Sequence, residues 1–195
     1  NANLDAKKHY RQALATNKFC VRALLGLAGI ALFSLEYAEA IRYLKKVPEI
    51  SPENIVLTLP LLLECTIKTQ SFVQHQAYLH ALYKDTGQIP VLLAIVSSME
   101  AQGCDAEALG FLVEQLENLP SLDALNYLFG MDKMSVPIRK ELSEQIVKII
   151  RREGNKKEAY RCVNCGFSGN QIHWNCPSCK GWQTTKPLLE YEKNV

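Results

Sequence analysis

Apolar residues recur at intervals of three and four along most of the chain, the spacing of helices that cover one face. The pattern predicts helices over 3–16, 20–34, 36–47, 53–68, 71–85, 89–101, 105–117, 121–130 and 137–153. Gly87, Gly103, Gly130 and Gly154 each follow a helical stretch, where a residue free to turn left-handed ends a helix well. Ser51 before Pro52 reads as an N-cap with proline in the first turn, and Asp105 and Ser121 as further N-caps. The segment "PIRKELSEQIVKIIRREG" collects Ile138, Leu142, Ile146, Val147, Ile149 and Ile150 on one broad face. Its last turn, Arg151 and Arg152, suits the negative end of the helix dipole.

A longer period overlies the short one. Ala6, Ala40 and Ala108 stand at intervals of 34 and 68, and Pro52 and Pro120 are also 68 apart. Four residues after each alanine comes a large side chain: Tyr10, Leu44 and Leu112. This is the phase of the second helix of a tetratricopeptide repeat. Leu24, Leu27, Ala28 and Ala31, then Leu92, Ile95, Val96 and Met99, fill the slots of the first helix. Two helices approach closely where one offers a small side chain and its neighbour a large one. The repeat between, about 55–88, is degenerate: Gln74 stands where alanine is due, and Ala77 and Ala81 are expected to replace it. The expected fold is mainly α, a tetratricopeptide-repeat solenoid over 1–153, with a small four-cysteine module over 158–188.

Composition fits a globular chain: 195 residues, 48% hydrophobic and 22% charged. A net charge of +2 argues against a dedicated nucleic-acid partner. The charge is uneven, with 11 basic and 14 acidic residues in 1–138 against 11 and 6 in 139–195. No apolar run reaches the roughly 20 residues of a membrane span. The chain opens "NANLDAKKHY", already in helical pattern and without Met, so it reads as a soluble fragment of a longer protein.

The seven cysteines divide in two. Cys20, Cys65 and Cys104 lie singly in apolar stretches and read as small buried hydrophobes. Cys162, Cys165, Cys176 and Cys179 form two Cys-x-x-Cys pairs with ten residues between them. Such turns can aim four thiolates at one tetrahedral ion. Sulfur ligands accept zinc and iron alike, so the cofactor is one Zn2+ or Fe ion. Gly166 supplies a tight turn after the first pair. His173 is placed outside the ligand set. Tyr160, Phe167, Trp174 and Trp182 supply the apolar bulk that so short a module needs around its metal.

The knuckles "CVNCGF" and "CPSCKGW", following directly on repeats of this kind, resemble the bacterial lipopolysaccharide assembly protein B family, which ends in a rubredoxin-type module. The stretch "WNCPSCKGWQTTKP" carries most of that resemblance. It implies a protein held by an N-terminal transmembrane helix at the cytoplasmic face of the inner membrane. It implies an adaptor that presents the deacetylase committing precursors to lipid A to a membrane-bound AAA+ protease. By the same resemblance the four cysteines of the module are the metal ligands. Rubredoxins separate their knuckles far more widely, which argues against electron transfer.

Three classes of function compete: an adaptor, a rubredoxin-like electron carrier, and a repeat protein associated with glycosyl transfer. No phosphate-binding loop, nucleophile elbow or His/carboxylate metal motif is present in the sequence, so catalysis is not expected. The working surface is expected to be the solenoid groove, with Arg22, Leu25, Leu32, Val56, Leu59 and Leu63 facing protein partners. Whether two copies pair as a homodimer is left open by the sequence.

Overall fold

The computed structural model describes residues 2–119, 121–131 and 158–188. The described part is mostly helical, with a small sheet at its C-terminal end. The expected helix 137–153 and Pro120 lie outside the described residues.

Two compact units divide the chain. The first unit joins Asn1–His75 with Ala159–Leu188, so the cysteine module groups with the first helices. The second is Gln76–Glu158 with Leu189–Val195.

In the first unit, α1 (Ala2–Thr16), α2 (Val21–Phe33) and α3 (Tyr37–Ile50) pack in succession. Gly26 of α2 faces the ring of Tyr10 so closely that a Cβ there would overlap it. A large side chain of α1 thus meets a position of α2 that has none. Leu24, Leu27, Ala28 and Ala31 of α2 and Ala40, Leu44 and Val47 of α3 form the core.

The stretch expected as one helix over 53–68 is broken. A 3-10 turn spans Pro52–Leu57, and α4 runs Leu59–Thr69. Pro60 explains the break. It has no N–H to donate four residues back and its ring crowds that carbonyl, so an α-helix can hold it only in its first turn. Ser51 is not a side-chain cap here. Its hydroxyl donates to Glu53 at 2.6 Å and accepts from Asn54 at 2.8 Å.

Helix α5 (Phe72–Thr86) leads from the first unit into the second. Ala77 and Ala81 are exposed on it, so they do not replace the missing small residue. The buried pair is His75 and Leu79, one position later than the 34-residue period predicts. In the second unit α6 (Ile89–Glu100), α7 (Asp105–Asn118) and α8 (Leu122–Gly130) enclose Leu92, Val96, Ala108, Leu112, Leu116 and Leu125. The Tyr127 hydroxyl bonds both Ser97, at 2.7 Å, and Glu100, tying α8 to α6. Ser121 caps α8 as expected, accepting from the N–H of Ala124. Asp105 does not cap α7: it is the first helical residue, and Cys104 stands before it.

The C-terminal sheet has order β2-β1-β3, with β1 (Tyr160–Cys162), β2 (Ser168–Gly169) and β3 (Thr185–Pro187). Both pairings are antiparallel, and Cys162 stands opposite Thr185.

Candidate metal centre

Each Cys-x-x-Cys pair sits in a short knuckle of the same build. In the first, the N–H of Cys162 donates to Phe167 and the N–H of Gly166 donates back to Cys162. In the second, the N–H of Cys176 donates to Gly181 and that of Lys180 to Cys176. Both turns need a left-handed residue. Gly166 has φ +76 and Lys180 has φ +60, so the second knuckle holds a lysine where the first has the residue suited to it.

The four sulfurs converge. All lie within 4.8 Å of one another, with Cys162 to Cys179 and Cys165 to Cys176 both at 3.7 Å. A tetrahedron with metal–sulfur bonds of about 2.3 Å has edges of about 3.8 Å, so the spacing fits one tetrahedral ion. The same separation is far beyond the ~2.05 Å of a disulfide. Cys162 and Cys176 are buried, whereas Cys165 and Cys179 reach the surface.

Electrostatics agree with that fit. The Cys162 thiol is drawn down to about 6 by the nearby Thr184 hydroxyl, which outweighs burial with help from the N–H groups of Cys165 and Asn164. Thr184 Oγ1 lies 3.2 Å from its sulfur. The Phe167 N–H lowers Cys165. At Cys179 the Gly181 N–H favours the thiolate, but burial and the three other sulfurs push the thiol up to about 11. Four thiolates so close repel one another, and a cation at their centre relieves that repulsion. The cysteines would hold the metal, the Thr184 hydroxyl would support the Cys162 sulfur, and the ion would fix the ribbon's fold.

The aromatic residues expected to pack the module divide by exposure. Tyr160, Phe167 and Trp174 are half-buried, and the Phe167 ring meets His173 edge-on at 5.8 Å. Trp182 keeps 50% of its surface exposed, and the Arg22 guanidinium sits over its ring at 5.2 Å. Of the groove residues, Arg22 is exposed, Leu25, Leu32, Val56 and Leu63 are half-buried, and Leu59 is buried. Arg22 is thereby brought to the cysteine module, a contact that its expected place in the groove does not describe.

The residues that fasten the module are ones the sequence patterns miss. Gln183 Oε1 accepts from the N–H of Val21 at 3.1 Å, and its Nε2 donates to Cys20 Sγ at 3.7 Å. Lys186 Nζ pairs with Glu53 at 2.6 Å and donates to Ser51 at 3.2 Å. Cys20 is therefore half-buried against the module, and Cys104 is half-buried at a helix start. Of the three isolated cysteines only Cys65 is a fully buried hydrophobe, its thiol pushed up to about 11 by burial.

Residues 160–187 match the family model described as rubredoxin metal binding domain. Over 193 residues, 98% of this chain, 27% are identical to lipopolysaccharide assembly protein B of Haemophilus influenzae. The chain is similar to lipopolysaccharide assembly protein B over nearly its whole length. The Escherichia coli K12 protein of that name is 23% identical over 180 residues, 91% of the chain. The chain spans about half the length of these relatives, 49% of the first and 46% of the second. Among the described residues no helix is long and apolar enough to cross a membrane.

Proposed function

We propose that the chain is part of a non-catalytic adaptor that regulates lipopolysaccharide synthesis at the cytoplasmic face of the bacterial inner membrane. In this reading tetratricopeptide repeats over 1–153 hold the deacetylase committed to lipid A and present it to a membrane-bound AAA+ protease. The metal module over 158–188 is structural. The name shared by the relatives supports a role in lipopolysaccharide assembly, and that name is one of assembly, not of a catalysed reaction.

The observation that carries this reading is the attachment of the four-cysteine ribbon to the helices. Gln183 and Lys186 reach the start of α2 and the 3-10 turn, so folding energy from the metal can stabilise a helical binding surface. Electron transfer is the second reading, favoured by the exposure of Cys165 and Cys179. A pulldown from cell-envelope extract separates the two. Retention of the deacetylase and the protease is the adaptor outcome. An iron-loaded chain that retains neither and is cycled by a reductase in the extract supports the electron carrier instead.

A further inference from the structure

Where the ribbon meets the first helices, the surface is aromatic and basic. Trp182 is 50% exposed and Phe19 is 57% exposed. Each stands one residue from an end of the Gln183–Cys20 contact, so the two flank the same seam. Each also carries a cation on its ring. The Arg22 guanidinium lies 5.2 Å from the Trp182 centroid, and the Lys18 ammonium 5.1 Å from that of Phe19.

The local charge has one sign. Between Asp5 and Glu36 the chain carries Lys7, Lys8, Arg11, Lys18 and Arg22 and no acidic residue, and 159–188 carries none either. Lys7 and Arg11 are occupied by carboxylates of α3 and its approach, and Lys186 by Glu53. Among the described residues neither Lys18 nor Arg22 has an acidic partner. A cation held against an aromatic face without a counter-ion is ready for an incoming carboxylate, and a half-exposed tryptophan offers apolar area at low entropic cost.

We propose that Lys18, Phe19, Arg22 and Trp182 form a docking surface for an acidic peptide segment bearing a large apolar side chain. The apolar side chain lies against Phe19 and Trp182, and carboxylates beside it pair with Lys18 and Arg22. Two unpaired cations match one or two carboxylates. An anionic bilayer fits less well. It gains only about 1 kcal/mol per basic residue near its surface, and it would face the whole ribbon, including a metal–thiolate cluster that is itself net negative. The surface names where a client segment would be held, and in that respect it rests on the adaptor reading.

Selection of random dodecapeptides displayed on phage against the metal-loaded chain is the test, with binding of the enriched peptides measured by fluorescence anisotropy. The expected peptides carry acidic residues around an aromatic or leucine. Their affinity should fall about tenfold in Arg22→Glu and in Trp182→Ala and drop as salt rises, while Arg22→Lys retains most of it. Lys84→Glu, on α5, should leave it unchanged. Metal content and circular dichroism identify any variant that fails to fold, in which case Trp182→Ser and Arg22→Gln are used. Enrichment of nothing, of non-acidic peptides, or of peptides indifferent to both substitutions overturns the proposal. So does binding of phosphatidylglycerol vesicles through Arg22 and Trp182 without peptide binding. An intact peptide result beside a failed deacetylase pulldown counts against the adaptor reading alone.

Discussion

The side chain of Gln183 accepts the backbone N–H of Val21 at 3.1 Å, across 162 positions of chain. The first N–H groups of a helix have no partner within it. The N-cap residue of α2, Cys20, supplies no side-chain acceptor of its own, so the cysteine module caps this helix from outside. Lys186 holds the module to the 3-10 turn, pairing with Glu53 and donating to Ser51.

Gln183→Ala should therefore destabilise the chain by about 1 kcal/mol, the usual cost of losing a cap. Exchange of the first amides of α2 should quicken. Gln183→Glu keeps an acceptor and adds a charge suited to a helix start, so it should restore the loss at neutral pH. Urea titrations of the three proteins, with amide exchange over 20–26, measure both effects.

Replacing Cys176 and Cys179 by serine removes two of the four sulfurs. Structural zinc sites of this type contribute on the order of 10 kcal/mol to folding their module, so 159–188 should lose its protection from exchange. Because Gln183 and Lys186 reach α2 and the 3-10 turn, protection should also fall over 20–26 and 51–58. Unchanged exchange in those two segments would show that the ribbon folds without lending stability to the helices.

His75 is 95% buried, its Nε2 has no partner among the described residues, and burial together with nearby Lys45 lowers its pKa to about 4. The unfolded chain holds this proton more tightly, from about 6.5 downward. The contribution of neutral His75 is thus complete above pH 6.5 and is lost as pH falls from there toward 4. Comparison of wild type with His75→Leu in urea at pH 7.5 and 5 isolates it from protonation of the sulfurs, since the variant should show a smaller fall.

Gly26 and Gly29 lie one turn apart in α2. A Cβ on Gly26 would overlap the Tyr10 ring, whereas nothing lies within 4 Å of one on Gly29. Gly26→Ala should cost roughly 1–3 kcal/mol through overpacking. Gly29→Ala should be neutral or gain up to about 1 kcal/mol of helix propensity. Thermal melts of the pair distinguish close helix approach from a general preference for glycine in this helix.

What the sequence determined by itself is local. Helix positions follow from apolar spacing over a few turns, and the expected boundaries of α1, α2, α5, α6, α7 and α8 lie within two residues of those found. The metal centre was legible for the same reason: each knuckle is closed by hydrogen bonds within six residues, so Cys-x-x-Cys carries its geometry with it. Tyr10 against Gly26 was not legible, because spacing along one helix does not say which residue of the next helix it meets.

Only the tertiary structure decided the rest. His75 is buried one position past the one where the repeat phase expects a small residue, since burial depends on the neighbouring helices and not on side-chain size alone. The attachment of the ribbon joins Val21 to Gln183 and Glu53 to Lys186, pairs 162 and 133 positions apart. A glutamine, a lysine and a glutamate leave no periodic trace. Their partners are chosen by how the chain returns on itself, and that return brings the last module back to the first helices.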